Sequence, residues 1–228
     1  MICRTDPIPC LLDFIQEWVP DLSSEHRIDA SLIPDFVPPP LRAVYEIAGN
    51  WPIPYTKQWR KPDWGRGLFA KQDRLVPVDQ LEVQGDRVAF LDENQGVWSC
   101  QTLTHGQDPP VYSDSLEAYG LGSDGVQEIC PSLAHFLTSF CLQELAFGSR
   151  FLFGVEPESK RPHDLVRASL ATLWENGIYV MKEPTHSFYV CNRQVIVMKT
   201  FESWWLAYND ESAEELLNFD ATDFHRIH

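Results

Sequence analysis

The sequence predicts an α+β protein in which helices cover one face of an antiparallel sheet. Two observations support this fold class. Apolar residues recur at helical spacing near the N-terminus and again after residue 131, and between them short apolar segments alternate with polar turns. These turns are too short to hold crossover helices, so we expect neighbouring strands to be antiparallel. With 228 residues, of which 44% are hydrophobic, the chain can bury a substantial core.

Three segments predict helices. Residues 9–19 carry a helical stripe of apolar side chains. The second helix begins in the proline run 38–40, continues through LRAVYEIA and ends at Gly49, since proline suits a first helical position. Ser132 opens the third, SLAHFLTSFCLQELAF, and Gly148 ends it.

Strands are predicted from residue 74 onward, in the segments LVPV, LEV, RVAFL and VWSCQTL. Gly85-Asp86 fits a two-residue hairpin turn, and the polar sequence DENQG (92–96) separates the last two segments. DPPVY (108–112) predicts an edge strand, because proline has no N–H to donate to a central ladder.

Residues 153–228 predict a C-terminal α+β extension to a first domain of residues 1–152. A connector (153–162) precedes a predicted helix, HDLVRASLATLWEN, which ends at Asn176-Gly177. Four strands follow, in the segments IYVMKE, SFYVC, QVIVMK and SWWLAY, and the spacing of Ser212 and Glu215 predicts a capped final helix. Because the connector is short, we expect the extension to pack on the first sheet and to continue it.

Residues 50–70 contain three Trp, three Pro and two Gly, which argues against a long regular element. Trp59 and Trp64 are interleaved with basic residues, a composition found in single-stranded nucleic-acid platforms. A loop held on the sheet by its tryptophans is the preferred interpretation, followed by a protein-contact patch and then by a nucleic-acid site.

The net charge of −15 disfavours nucleic acid as a partner and favours a cationic protein, although acidity also serves solubility alone. Seven acidic residues lie in the last 27 positions, which form either a solvated surface or an electronegative face for a basic partner. Neither a signal peptide nor a membrane span is expected. The six cysteines form no CxxC pair, which indicates reduced thiols and a cytoplasmic protein.

The sequence contains no GxSxG, HExxH, phosphate-binding or dinucleotide-binding motif. His225 and His228 are spaced for metal chelation on a helix, but they lie at the chain end, where order is least expected. We therefore expect no catalytic residue, cofactor or metal site, and a protein that is not an enzyme. An enzyme whose site follows no recognisable motif is the remaining alternative.

Four segments together resemble the SUKH superfamily, the domain of a fungal cell-wall synthesis regulator and of many bacterial immunity proteins. They are the helix entry Pro39–Arg42 with Gly49, the segment VAFLDENQGVWSC (88–100), DPPVY, and the helix that begins SLAHFLTSF. The resemblance spans roughly residues 9–148; the Trp-rich segment and residues 155–228 depart from it. It implies a curved, mainly antiparallel sheet and a binding protein without catalytic machinery.

The resemblance implies an immunity protein that neutralises a toxin by direct binding, with an intracellular scaffold or regulator of the same fold as the alternative. Asn94 and Gly96 have turn chemistry, whereas Glu93 and Gln95 have less reason to occupy a turn. The expected partner is a protein, with a cationic toxin domain as the more specific form. The candidate partner-binding residues are Asp92, Glu93, Gln95, Trp59, Trp64, Glu214 and Glu215.

Overall fold

The computed structural model describes residues 1–20, 22–50, 68–121, 124–155, 161–201, 203–218 and 224–228. Within these ranges the chain forms four α-helices and two six-stranded sheets in which all paired strands are antiparallel. The predicted α+β class, with antiparallel sheet flanked by helices, is confirmed. Residues 51–67 of the Trp-rich segment, with Trp59 and Trp64, lie outside the described residues.

The helices are α1 (Pro7–Trp18), α2 (Pro39–Ala48), α3 (Ser115–Ala118) and α4 (Leu133–Phe147). The predictions for α1, α2 and α4 are confirmed, and the Ser132 hydroxyl caps α4 by accepting a hydrogen bond from the His135 amide. Helix α4 is buried along nearly its whole length. An apolar helix that is buried on all sides belongs inside a protein, and α4 accordingly packs against α1, α2 and strands of both sheets.

The first sheet contains β1 (Arg74–Leu75), β2 (Glu82–Gln84), β3 (Arg87–Asp92), β4 (Ser99–Leu103), β5 (Val111–Ser113) and β6 (Gln127–Cys130). Its order is β1-β3-β4-β5-β6, and β2 also pairs with β3. The hairpin at Gly85 is confirmed, with a φ of 66° at the glycine.

The prediction of an edge strand at DPPVY is wrong, because β5 pairs on both sides, with β4 and with β6. The two prolines precede the strand, so they remove no N–H from its ladder. Their carbonyls are used instead: the Pro109 oxygen accepts from the Leu133 amide and the Pro110 oxygen from the Thr102 hydroxyl. Strand β6, which completes this pairing, was not predicted.

The second sheet contains β7 (Phe151–Val155), β8 (Leu170–Gly177), β9 (His186–Cys191), β10 (Val195–Thr200), β11 (Ser203–Tyr208) and β12 (Phe224–Arg226). Its order is β12-β7-β11-β10-β9-β8. The prediction that residues 153–228 continue the first sheet is wrong, since these strands pair only with one another and with β7 in the described structure. The predicted boundary between residues 152 and 153 falls inside β7.

Three local predictions in this region are also wrong. The second half of the segment 163–176 is part of strand β8 (Leu170–Gly177), which pairs with β9. Residues 178–183 form a loop between β8 and β9. The final helix is a 3-10 segment, Glu211–Leu216, capped by the Asp210 carboxylate and not by the predicted Ser212–Glu215 pair. The strands predicted at 187–191, 194–199 and 203–208 are confirmed as β9, β10 and β11.

Candidate functional site

A cavity of about 240 Å³ opens where α4 meets strand ends and loops of both sheets, and we call it the inter-sheet cleft. Asp73, Glu93 and Trp98 reach it from the first sheet, whereas Tyr179 and Trp205 reach it from the second. The cleft lies where the two halves of the chain meet, and the buried Asp73 carboxyl and aromatic rings that line it make it the candidate binding site.

The loop before β1 is fixed by the buried side chain of Glu144 on α4. Its carboxylate accepts hydrogen bonds from three consecutive backbone amides, those of Lys71, Gln72 and Asp73. Burial and the nearby Asp73 carboxylate raise the pKa of Glu144 to about 8, while the three amides act in the opposite direction. These three hydrogen bonds place Asp73 at the cleft.

Asp73 is only 4% exposed, and both of its carboxylate oxygens accept hydrogen bonds. The Tyr179 hydroxyl donates to Oδ2 at 2.6 Å, and the Asn94 amide donates to Oδ1 at 3.2 Å. Burial raises the pKa of Asp73 to about 6; the Tyr179 and Asn94 bonds lower it, and the Glu93 carboxylate raises it. Burial therefore opposes ionisation of Asp73, whereas its two hydrogen bonds favour the ionised form.

Glu93 lies in the DENQG turn, and its side chain stabilises that turn. Its Oε2 accepts from the amides of Gln95 at 2.7 Å and Val97 at 3.1 Å, and Gly96 adopts a φ of 69°. The expectation that Glu93 has little reason to occupy a turn is wrong, because its carboxylate satisfies two turn amides. Glu93 nevertheless lines the cleft. Both bonds to the turn amides use its Oε2 atom.

Aromatic rings form much of the cleft wall. Trp98 is buried and packs edge-on against Tyr179 with ring centroids 6.1 Å apart. Phe147 of α4 packs against Trp205 of β11 at 5.2 Å. The Trp205 indole N–H donates to the Thr200 hydroxyl at 2.8 Å, which holds the ring in place.

Two exposed apolar side chains line the cleft, and we call Tyr119 and Phe201 the apolar rim. Their exposed fractions are 50% and 42%. Phe201 has a φ of 53°, which is strained for an aromatic residue. A hydrogen bond from its amide to the Thr185 carbonyl holds this conformation.

His186 lies behind the cleft and supports it without facing it. Hydrogen bonds join its Nε2 to Gln143 Oε1 at 2.9 Å and its Nδ1 to the Thr185 hydroxyl at 2.8 Å. Burial lowers the pKa of His186 to about 3, so the ring is neutral at physiological pH. Because both nitrogens are engaged, His186 positions Gln143, which does line the cleft.

Of the residues predicted to bind a partner, Glu93 lies in the cleft. Asp92 lies in β3 opposite Arg74 of β1, and Gln95 is exposed at the turn. Glu214 and Glu215 are exposed on the 3-10 segment of the second half, where Glu214 accepts a hydrogen bond from the Tyr208 hydroxyl. None of these four lines the cleft.

The sequence reasoning missed Asp73, Tyr179, Phe201 and Trp205. Asp73 and Tyr179 meet across a separation of 106 residues, which no local pattern encodes. A weak signal was available in the paired tryptophans of SWWLAY, because strand alternation places Trp204 and Trp205 on opposite faces.

Two further findings concern the described ranges as a whole. They contain no group of three or more His, Cys, Asp or Glu side chains arranged to hold a metal ion. Nor do they contain a helix with the length and apolar content needed to cross a bilayer.

Comparisons with protein families, with curated proteins and with solved structures find no match to this chain. The resemblance to the SUKH superfamily, and the function that it implies, therefore stay predictions.

Proposed function

We propose that this chain is a cytoplasmic protein-binding module, and most specifically an immunity protein that neutralises a toxin by direct binding at the inter-sheet cleft. The observation that carries the proposal is the apolar rim around an acidic cavity. Soluble proteins often expose single apolar residues, but apolar side chains grouped around a polar depression are typical of interaction sites. All six cysteines are free thiols, which suits a reducing compartment.

Electrostatics support a basic partner. The chain carries a net charge of −15, and Asp73 and Glu93 add local negative charge at the cleft. A cationic toxin domain would be attracted over a long range, and its association would slow as salt screens the field. Binding would occlude the surface of the toxin without turnover.

One observation favours an enzyme as the second candidate. A carboxylate with a raised pKa in a cleft is a feature of acid–base catalysis, and Asp73 has both properties. Against this, His186 lies behind the cleft with both ring nitrogens engaged, so it does not face the cavity as an acid or base.

Co-expression with the product of the neighbouring gene tests the proposal. We expect a stable complex by size-exclusion chromatography and protection of the host from that product. The double variant Tyr119→Ser, Phe201→Ser should lose both. Leu32→Ser is the matched control, since Leu32 is 69% exposed but lies outside the rim. A complex without toxicity would favour a scaffold, and equal binding by the rim variant would contradict the cleft as the docking site.

A further inference from the structure

Two carboxylates, those of Asp73 and Glu93, line the inter-sheet cleft. Among the residues that the structure describes, no lysine, arginine or histidine lines the cavity with them. Besides burial, the groups that act on the pKa of Asp73 include Tyr179, Asn94, Glu93 and Gln143, none of which is positively charged. The buried Glu144 carboxyl also interacts electrostatically with Asp73.

An ionised carboxylate removed from water is costly unless an opposite charge compensates it. Neutral donors from Tyr179 and Asn94 stabilise Asp73 in part, but the Glu93 carboxylate acts against it. A cation entering the cleft would relieve this repulsion and pair with both groups. Glu93 can accept such a ligand, because its bonds to the turn amides use Oε2 and leave Oε1 available.

The walls indicate which kind of cation fits. Trp98, Tyr179, Phe147 and Trp205 contribute aromatic rings to the lining. The face of an aromatic ring attracts cations, and a planar guanidinium stacks on it while donating paired hydrogen bonds to carboxylates. A compact, strongly hydrated metal ion would gain little from such walls.

The size of the cleft limits the ligand further. At about 240 Å³ it is smaller than the roughly 300–1,000 Å³ of pockets for drug-sized ligands. It suits a single long side chain entering from the surface. The apolar rim would then cover the aliphatic stem, since Tyr119 and Phe201 line the entrance.

We propose that the inter-sheet cleft receives one arginine side chain of the protein partner, with the guanidinium between Asp73 and Glu93 and its stem against the apolar rim. The source of this side chain rests on the proposed function. The affinity of the cleft for a guanidinium can be measured without any partner, so the two proposals fail separately.

The first experiment titrates the full chain with N-acetyl-arginine methylamide and follows ¹H–¹⁵N NMR spectra. We expect saturable shifts confined to residues around the cleft, with a dissociation constant of about 1–10 mM. The matched probe is the blocked citrulline, which has the same shape but no charge, and it should bind at least about tenfold more weakly. Equal binding of the two probes, or no binding at about 50 mM arginine probe, would overturn the proposal. Tighter binding of blocked lysine would overturn the assignment to arginine.

The second experiment uses the variants Asp73→Asn and Glu93→Gln, which remove the charge but keep the shape and one acceptor oxygen of each side chain. Each should weaken binding of the arginine probe by about fivefold or more. Glu82→Gln is the control, because Glu82 is an exposed acid on β2, away from the cleft. Unchanged amide spectra away from the cleft confirm folding. If Glu82→Gln weakens binding as much as the cleft variants, the attraction comes from the overall charge and the proposal is wrong.

Discussion

Tyr179→Phe tests whether an ionised Asp73 is held inside the protein. The substitution removes one hydroxyl, whose hydrogen bond to Asp73 Oδ2 is 2.6 Å long, and keeps the ring that packs against Trp98. A hydrogen bond to a charged group contributes about 1.5–3 kcal/mol, whereas one between neutral groups contributes about 0.5–1.5 kcal/mol. The decrease in the free energy of unfolding caused by Tyr179→Phe should therefore depend on whether Asp73 is ionised or protonated.

The pH dependence follows from the raised pKa of Asp73. Since its folded-state pKa is about 6 against a reference of 3.8, ionisation of Asp73 destabilises the fold as pH rises through this range. Tyr179→Phe should raise that pKa further. We expect a loss of about 2 kcal/mol at pH 8, where Asp73 is ionised, and of about 1 kcal/mol at pH 5. The difference corresponds to a further rise of about 0.7 in the pKa of Asp73.

Urea unfolding at both pH values, followed by tryptophan fluorescence and far-UV circular dichroism, measures these losses. NMR titration of the Asp73 carboxyl carbon gives the pKa change independently. Tyr189→Phe is the matched control: its hydroxyl donates to Glu175 at 3.3 Å in a less buried setting, so we expect a loss below about 1 kcal/mol. Equal losses at pH 5 and pH 8 for Tyr179→Phe would refute an ionised Asp73 in the cleft.

Three other variants test the interior. Burial lowers the pKa of His186 from 6.5 to about 3, so its stabilising contribution is full above pH 6.5 and is lost as pH falls toward 3. Between pH 6.5 and pH 4 the free energy of unfolding of His186→Gln should therefore fall by up to about 3 kcal/mol less than that of the native chain, as measured by urea unfolding. Parallel stability curves for the two proteins would contradict this. Phe136→Ala should cost about 3–5 kcal/mol, because this α4 ring packs edge-on against Phe90 of the first sheet at 5.8 Å, and a loss below about 1 kcal/mol in the same assay would argue against a shared core. Gly177→Ala would place a Cβ 2.6 Å from the Ser139 hydroxyl oxygen, so it should lower stability by about 1–3 kcal/mol; an unchanged melting temperature would show that Ser139 moves aside.

The sequence predicts the fold best where local pattern and environment agree. Helix α4 carries apolar residues on nearly every side, and the structure buries it on nearly every side. Strands β9 to β11 alternate or run apolar between short turns and are found where expected. The fold class followed from these elements.

Prediction failed where pairing partners distant in the sequence decide the local structure. Residues 170–177 space their apolar side chains as a helix would, yet they pair with β9 as a strand, which buries Leu173 and Trp174. The candidate site shows the same limit. Asp73 becomes a buried group only through Glu144, on a helix 71 residues away, and through Tyr179. The local sequence KQDRL (71–75) gives no indication of either contact.

Residues from both halves of the chain line the cleft, and this has a consequence for biosynthesis. A ribosome releases the chain from its N-terminus, so Asp73, Glu93 and Trp98 emerge well before Phe201 and Trp205. The first half therefore leaves the exit tunnel with only one wall of the cavity. The cleft is complete only after β11 has been synthesised, and a product truncated before β11 would lack the wall that Trp205 provides.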